Sequence, residues 1–448
     1  MEKVIAYLIL FLLREENKSL ARHVVYGLPK ENIDRKTLYI VPSGFFDSKD
    51  YMTVASLPKL PLTDCEGVPV LYGSSKIEIR DNYVVLEADI LASTFFMISR
   101  YEEYVRRDVR DEHGRFIGHE SLAYRAGFLD RPIVEDYGEL LRSSLRKLGL
   151  PVKNPPKGFG HIYMTHDIDI PWSAKNTTLE NGKQLLKDIF SVTIGRKPKE
   201  HLQSLRTLLH LQKDPVDTFD WLVDQDSAVK KCYGERFTAL YFLMTCPQGK
   251  NDMGYICKEE RTRTLLDKLI KGNASVGLHV SYRAGANPDY IQEEQAVYKQ
   301  FMGETAKLSR HHYLMCREPE DMQALIKNGV TDDFSLCFAD GGGYRLGTCR
   351  PVYWIDPVAK KVTSLVLHPL LATEGKLCGK QYMNMQPEDA VAWFRRQFER
   401  IYQENGEVTV LFHNSSFTKF APYPYEDIYK GMQAILKEKN FYDENSNL

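Results

Sequence analysis

The stretch His161-Ile162-Tyr163-Met164-Thr165-His166-Asp167-Ile168-Asp169 decides how this chain is read. Apolar and aromatic residues run into two carboxylates one residue apart, and Pro171 then stops the strand that carries them. Side chains of a strand alternate between its faces, so Asp167 and Asp169 share one. Two carboxylates side by side at the C-terminal end of a buried strand repel unless a cation or a proton separates them. Either a metal sits between them or one of them is held as a base. The competing reading is that the carboxylates cap a following helix.

A chain of 448 residues suggests two domains, and its 43% hydrophobic content can fill a sizeable core. The 26 tyrosines suit a surface that handles carbohydrate. Lys and Arg number 59 against 60 Asp and Glu, so no overall charge points to nucleic acid. Cysteines 65, 232, 246, 257, 316, 337, 349 and 378 form no Cys-x-x-Cys pair, which reads as a reduced, intracellular chain. The apolar run Val4–Leu13 is too short to span a bilayer, and Arg14-Glu15-Glu16 follow it with no cleavage site. A buried helix or strand is expected there, and a cytoplasmic protein overall.

Residues 1–150 read as a separate α/β module. Leu38–Val41 is an expected strand, and the segments 76–80 and 83–87 pair around Asp81-Asn82 as a hairpin. Asp89 should cap a helix through Ala92, Phe95, Phe96 and Tyr101, with the charged run Arg100–Arg107 on its outer face. His113 and His119 read as loop histidines. A helix over Val134–Leu148 leads to the proline-rich boundary 151–158. Residues 158–440 then alternate strand and helix, which predicts a parallel sheet of about seven strands. Its polar residues gather where strands end. An insertion at about 173–235 interrupts this rhythm. Within it, Lys183–Lys213 carries seven basic residues against two acidic ones, and its leucines keep one apolar face. Such a run suits a soluble cover over the site or a peripheral contact with an anionic membrane.

Five short motifs at successive strand ends resemble those of the polysaccharide deacetylases, carbohydrate esterase family 4. Thr165-His166-Asp167-Ile168-Asp169 resembles the first, and Leu278-His279-Val280-Ser281 the second. Arg310-His311-His312-Tyr313 resembles the third, Asp333-Phe334-Ser335 the fourth, and Val410-Leu411-Phe412-His413-Asn414 the last. The resemblance covers residues 159 to about 420 and implies an irregular (β/α)7 barrel. It also implies a base at Asp167, a general acid at His413, and a divalent metal, expected to be Zn²⁺, at Asp169 and His279. The second motif departs at Arg283, where the family has a second histidine ligand. His312 is the candidate to replace it; the alternative is a barrel that has lost its metal. The N-terminal module, through Arg100-Tyr101-Glu102-Glu103-Tyr104 and Asp111–Phe116, resembles a domain that precedes such barrels in Bacteroidetes proteins.

The chemistry implied is removal of an acetyl group from an N-acetylated sugar, a cell-surface glycan or a lipid-linked one. Asp167 would be held as carboxylate by Arg310. Tyr313, Asp333, Arg283 and Arg350 are the candidates to meet substrate, although Asp333 equally suits steadying a strand and Arg350 an exposed loop. Two other classes compete. A non-catalytic glycan-binding barrel would explain Arg283, and a glycosyltransferase would use Asp167-x-Asp169 with a nucleotide sugar but leave the recurrent histidines unexplained.

Overall fold

In the computed structural model the run that opens the chain is a helix, Glu2–Leu13, which buries Val4, Leu8, Ile9, Leu12 and Leu13. Steps of three and four along one stripe select helix over strand. The helix packs on a second one, Ile133–Lys147, whose Arg142 caps it by donating to Leu12 O at 2.8 Å. The structure describes residues 1–30, 35–172, 206–207, 211–246, 251–252, 260–317, 319–418, 421 and 423–442. The Lys183–Lys213 run lies outside them except for Arg206, Thr207 and 211–213.

Between these helices lie β1 (Val24–Tyr26), β2 (Thr37–Ile40), a ribbon of β3 (Thr63–Cys65) and β4 (Val68–Val70), then β5 (Gly73–Ile79) and β6 (Tyr83–Ala88). A four-stranded sheet runs β1-β2-β6-β5, with only β5 antiparallel to its neighbour. Asp89 caps the helix Ile90–Ile98 by accepting from Ala92 N at 3.0 Å. The first part of the charged run after it turns inward rather than outward as expected. Arg100 turns left-handed at φ 59 and breaks the helix, so the next one, Tyr101–Val105, carries Glu102 and Glu103 into the interior. There Glu103 meets Arg100 at 2.7 Å and Arg345 at 2.6 Å. Burial opposes the charge on Glu103, but the two guanidinium groups outweigh it and hold the carboxyl down at about 2.

The second sheet contains β7 (His161–Ile168), β8 (Phe237–Leu243), β9 (Ser275–Val280), β10 (Leu308–His311) and β11 (Asp332–Leu336). It continues with β12 (Val352–Asp356), β13 (Lys361–Pro369), β14 (Ala372–Thr373) and β15 (Glu407–Leu411). Their order is β12-β13-β11-β10-β9-β8-β7-β15-β14, and every neighbouring pair is parallel except β12 with β13. The fold is thus α/β with one large, mostly parallel sheet. Only Leu370 and Leu371 separate β13 from β14, although they sit toward opposite ends of that order, and Leu371 N donates to Thr409 O in β15 at 2.9 Å. Strand β10 stops at His311, because Tyr313 and Leu314 take φ values of 60 and 55. One apolar cluster runs from Val4, Phe95 and Leu141 to Leu278, Trp354 and Leu365, so the first 150 residues and the large sheet share core. No helix among the described residues is long and apolar enough to cross a membrane.

His368 ties two strand starts together. Its Nδ1 lies 2.8 Å from Glu407 in β15, its Nε2 3.0 Å from Asp332 in β11, and its ring stacks on Phe334. Burial disfavours the imidazolium, but the two carboxylates outweigh that and push it up to about 9 from 6.5. A folded-state value above the unfolded one gives stability that is complete below about pH 6.5 and lost as pH rises through about 9. Chemical denaturation across that window should show wild-type stability falling relative to His368→Gln. Parallel curves for the two proteins would disprove the pairing.

Candidate metal centre

Parallel strands β10, β9, β8, β7 and β15 end side by side, and the residues at those ends converge, as is usual where open or closed parallel sheets hold ligands. Strand β7 delivers Asp167 and, one residue beyond its end, Asp169. Strand β9 contributes His279, β10 contributes Arg310 with His312 in the turn that follows, and His413 comes just after β15.

Each imidazole is anchored by its Nδ1. His279 Nδ1 lies 3.0 Å from Arg310 O, a carbonyl that can only accept, so this nitrogen carries the proton. His312 Nδ1 meets Asp252 Oδ1 at 3.0 Å, and His413 Nδ1 meets Glu374 Oε1 at 2.7 Å. The three Nε2 atoms are thereby aimed at Asp169. His279 Nε2 is 3.0 Å from Oδ1, and those of His312 and His413 are each 3.4 Å from Oδ2. Carboxylate or carbonyl behind imidazole is the arrangement that orients histidine ligands of metals.

Two buried atoms at the centre of this group, Asp169 Oδ1 and His279 Nε2, have no hydrogen-bond partner. With Nδ1 protonated, Nε2 of His279 presents a lone pair to a carboxylate, which is unfavourable unless a cation lies between them. Asp169, His279 and His312 each offer a ligand atom, all within 4.8 Å of one another. The electrostatics agree. Burial alone would raise Asp169, yet the three imidazoles hold it well below the usual carboxylate range. Burial would lower His312, yet Asp169 and Asp252 push it up to about 9. Likewise burial would lower His413, but Glu374 and Asp169 raise it well above its ordinary value. The carboxylates demand positive charge, from protons on the imidazoles or from a metal, and the donor set fits a zinc-type ion.

Beside this group, Asp167 Oδ1 accepts from Arg310 Nη1 at 3.0 Å. The fully buried Arg310 also donates to Thr165 Oγ1 and Phe334 O, and its guanidinium lies 4.5 Å from the Phe242 ring centroid. Burial lowers Arg310, and Asp167 works against that loss. A pocket of about 280 Å³ opens above Asp167, Asp169, His312 and His413. Tyr313 stands at its rim.

Three candidates of the sequence reading are not part of this group. Arg283 pairs with Glu293 and lies 3.7 Å from the Tyr290 ring centroid. Arg350 pairs with the buried Glu135 at 2.9 Å and donates to Phe11 O, because Glu135 in the shared core needs a cation. Asp333 is fully buried, accepting from Ser309 Oγ, Ser335 Oγ and Ser335 N. Four residues that the sequence reading missed are near the site. Asp252 and Glu374 are the anchors just described. Lys376 and Arg115 line the pocket; Arg115 pairs with Asp111 and donates to Tyr313 O at 2.9 Å. All four lie outside the five motifs, in loops or in the short helix Glu374–Cys378.

Residues 9–150 match a family of unknown function (DUF7033). No curated protein matches the chain. Among solved structures, one described as a "putative polysaccharide deacetylase from Mycobacterium smegmatis" is similar at 12% identity and a TM-score of 0.38, over 64% of this chain and 89% of that one.

Zinc titration by calorimetry tests the centre. Asp169→Asn should abolish the exchangeable zinc, and Asp252→Asn should weaken it by about 10–100-fold through its loss behind His312. Arg283→Ala should leave the affinity unchanged. Full zinc affinity in Asp169→Asn would rule the centre out.

Proposed function

We propose that this chain is a metal-dependent hydrolase that removes the acetyl group from an N-acetylated sugar. The observation that carries the reading is the convergence of three anchored imidazole Nε2 atoms on Asp169, directly beside the Asp167–Arg310 pair. Asp169, His279 and His312 would hold a divalent cation, which would supply Lewis-acid polarisation and a lowered water pKa. The chain's own residues do the rest. Arg310, 3.0 Å from Asp167, orients the carboxylate that takes the proton from the attacking water. The backbone N–H at Tyr313 is the candidate donor to the oxyanion. His413, backed by Glu374, carries the proton that the departing amine needs as the carbon–nitrogen bond breaks, leaving acetate and a free amino sugar.

The same reading takes the large sheet as an irregular (β/α)7 barrel. The two-residue step from β13 to β14 and the Leu371–Thr409 bond, which link the two ends of the strand order, support that closure. It takes 1–150 as an accompanying domain and 158–440 as the catalytic one, working in the cytoplasm on a cell-surface or lipid-linked glycan. The basic run Lys183–Lys213 is proposed as the contact with an anionic membrane face. A glycosyltransferase would occupy Asp167 and Asp169 with a nucleotide-bound metal and give the three imidazoles no task.

Acetate release from a panel of N-acetylated glycans by zinc-loaded protein is the direct test. Asp167→Asn and His413→Ala should each lower turnover by about 10²–10⁴-fold. Asp167→Asn should do so while still binding zinc. Undiminished acetate release by either variant would refute the roles assigned, and no release from any substrate would refute the activity.

A further inference from the structure

His311 and His312 are neighbours that face opposite ways, as consecutive residues at a strand end do. His312 turns to the pocket, while His311 is fully buried on the far side, where it meets Cys316 and Asp321. We propose that His311, Cys316 and Asp321 form a second metal site, structural rather than catalytic, for a zinc-type cation. The inference stands apart from the hydrolase reading, since none of the three residues lines the pocket.

The geometry carries it. One ligand atom from each residue lies within 4.8 Å of the other two, and His311 Nε2 is 3.9 Å from Asp321 Oδ2. Donors about 2.0–2.3 Å from a tetrahedral zinc lie roughly 3.3–3.8 Å apart, so small side-chain shifts would close the site. His311 Nε2 and Asp321 Oδ1 are both buried without a hydrogen-bond partner, which a folded interior rarely tolerates. Arg317 does not satisfy Asp321 Oδ1, since its Nη2 is 3.7 Å away. Its backbone N–H takes the other oxygen, Oδ2.

The far side of His311 is organised as metal-bound histidines are. Its Nδ1 lies 3.3 Å from Ser335 Oγ, and that hydroxyl donates to Asp333 Oδ2 at 2.9 Å. The Nδ1 side is thus occupied, and Nε2 is the nitrogen left for a ligand. This also gives Asp333 a task away from the pocket: it holds the serine that holds the histidine. A thiolate among the donors favours zinc over magnesium or calcium. Binding drives the Cys316 proton, and the His311 proton where the ring is charged, out to solvent. Three protein donors leave a fourth position to a water or a backbone carbonyl. Because the residues are spaced at 311, 316 and 321, the ion would staple the end of β10 to the helix Glu320–Lys327 and fix the left-handed turn that carries His312.

Cobalt substitution tests this, because the Asp169 centre has no sulfur ligand. The full chain, expressed in cobalt-supplemented medium so that a buried site fills during folding, should show a thiolate-to-cobalt charge-transfer band in the near ultraviolet. The band should persist in Asp169→Asn and vanish in Cys316→Ser. Zinc-grown wild type should carry two zinc ions per chain, falling to one in Cys316→Ser and, should that variant fail to fold, in Asp321→Asn. A wild-type chain with no thiolate band, or a band that survives Cys316→Ser, overturns the proposal.

Discussion

Three hydrogen bonds on the outer nitrogens of three imidazoles hold the functional end of this protein in order. His279, His312 and His413 would each be free to present either nitrogen, or to rotate, without Arg310 O, Asp252 and Glu374 behind them. Those partners come from different places: a neighbouring strand's backbone, a loop, and the helix Glu374–Cys378 after β14. The parallel sheet supplies the common floor on which such distant groups can meet. The donors would be mere neighbours without their anchors. With them, three Nε2 atoms point at one carboxylate.

Much of this is legible in the sequence. Asp167, Asp169, His279, Arg310 and His413 sit at the ends of strands whose apolar runs are obvious, and strand alternation sets which way each faces. The α/β class followed from the same rhythm. Part of what the sequence hides rests on partners far apart along the chain. Arg350 looked like an exposed loop cation because Glu135, its partner, lies 215 positions earlier. The run Arg100–Arg107 looked solvated because helical periodicity was carried through a residue whose φ of 59 breaks it. Asp252 and Glu374 carry no periodic signal at all, and nothing nearby announces what they hold. The antiparallel edge strand β12 was missed because it breaks the strand–helix alternation.

The interior holds several groups of paired charge. Glu103 with Arg100 and Arg345, Glu135 with Arg14 and Arg350, and Asp167 with Arg310 are all removed from water. Such pairs add little net stability relative to apolar residues of similar size, but losing one partner strands the other. Their value lies in specificity. A buried carboxylate accepts only the packing that brings its cation, so these pairs discriminate among the many ways two apolar surfaces could slide together.

The pairs Glu103–Arg345 and Glu135–Arg350 each join the first 150 residues to the loop between β11 and β12. Neither segment is therefore portable. Transplanted onto another scaffold, the large sheet would bring Arg345 and Arg350 without their counterions, and the first 150 residues would bring Glu103 and Glu135 lacking these partners. The two regions behave as a lock cut together with its key, since buried charge on each is completed by charge on the other.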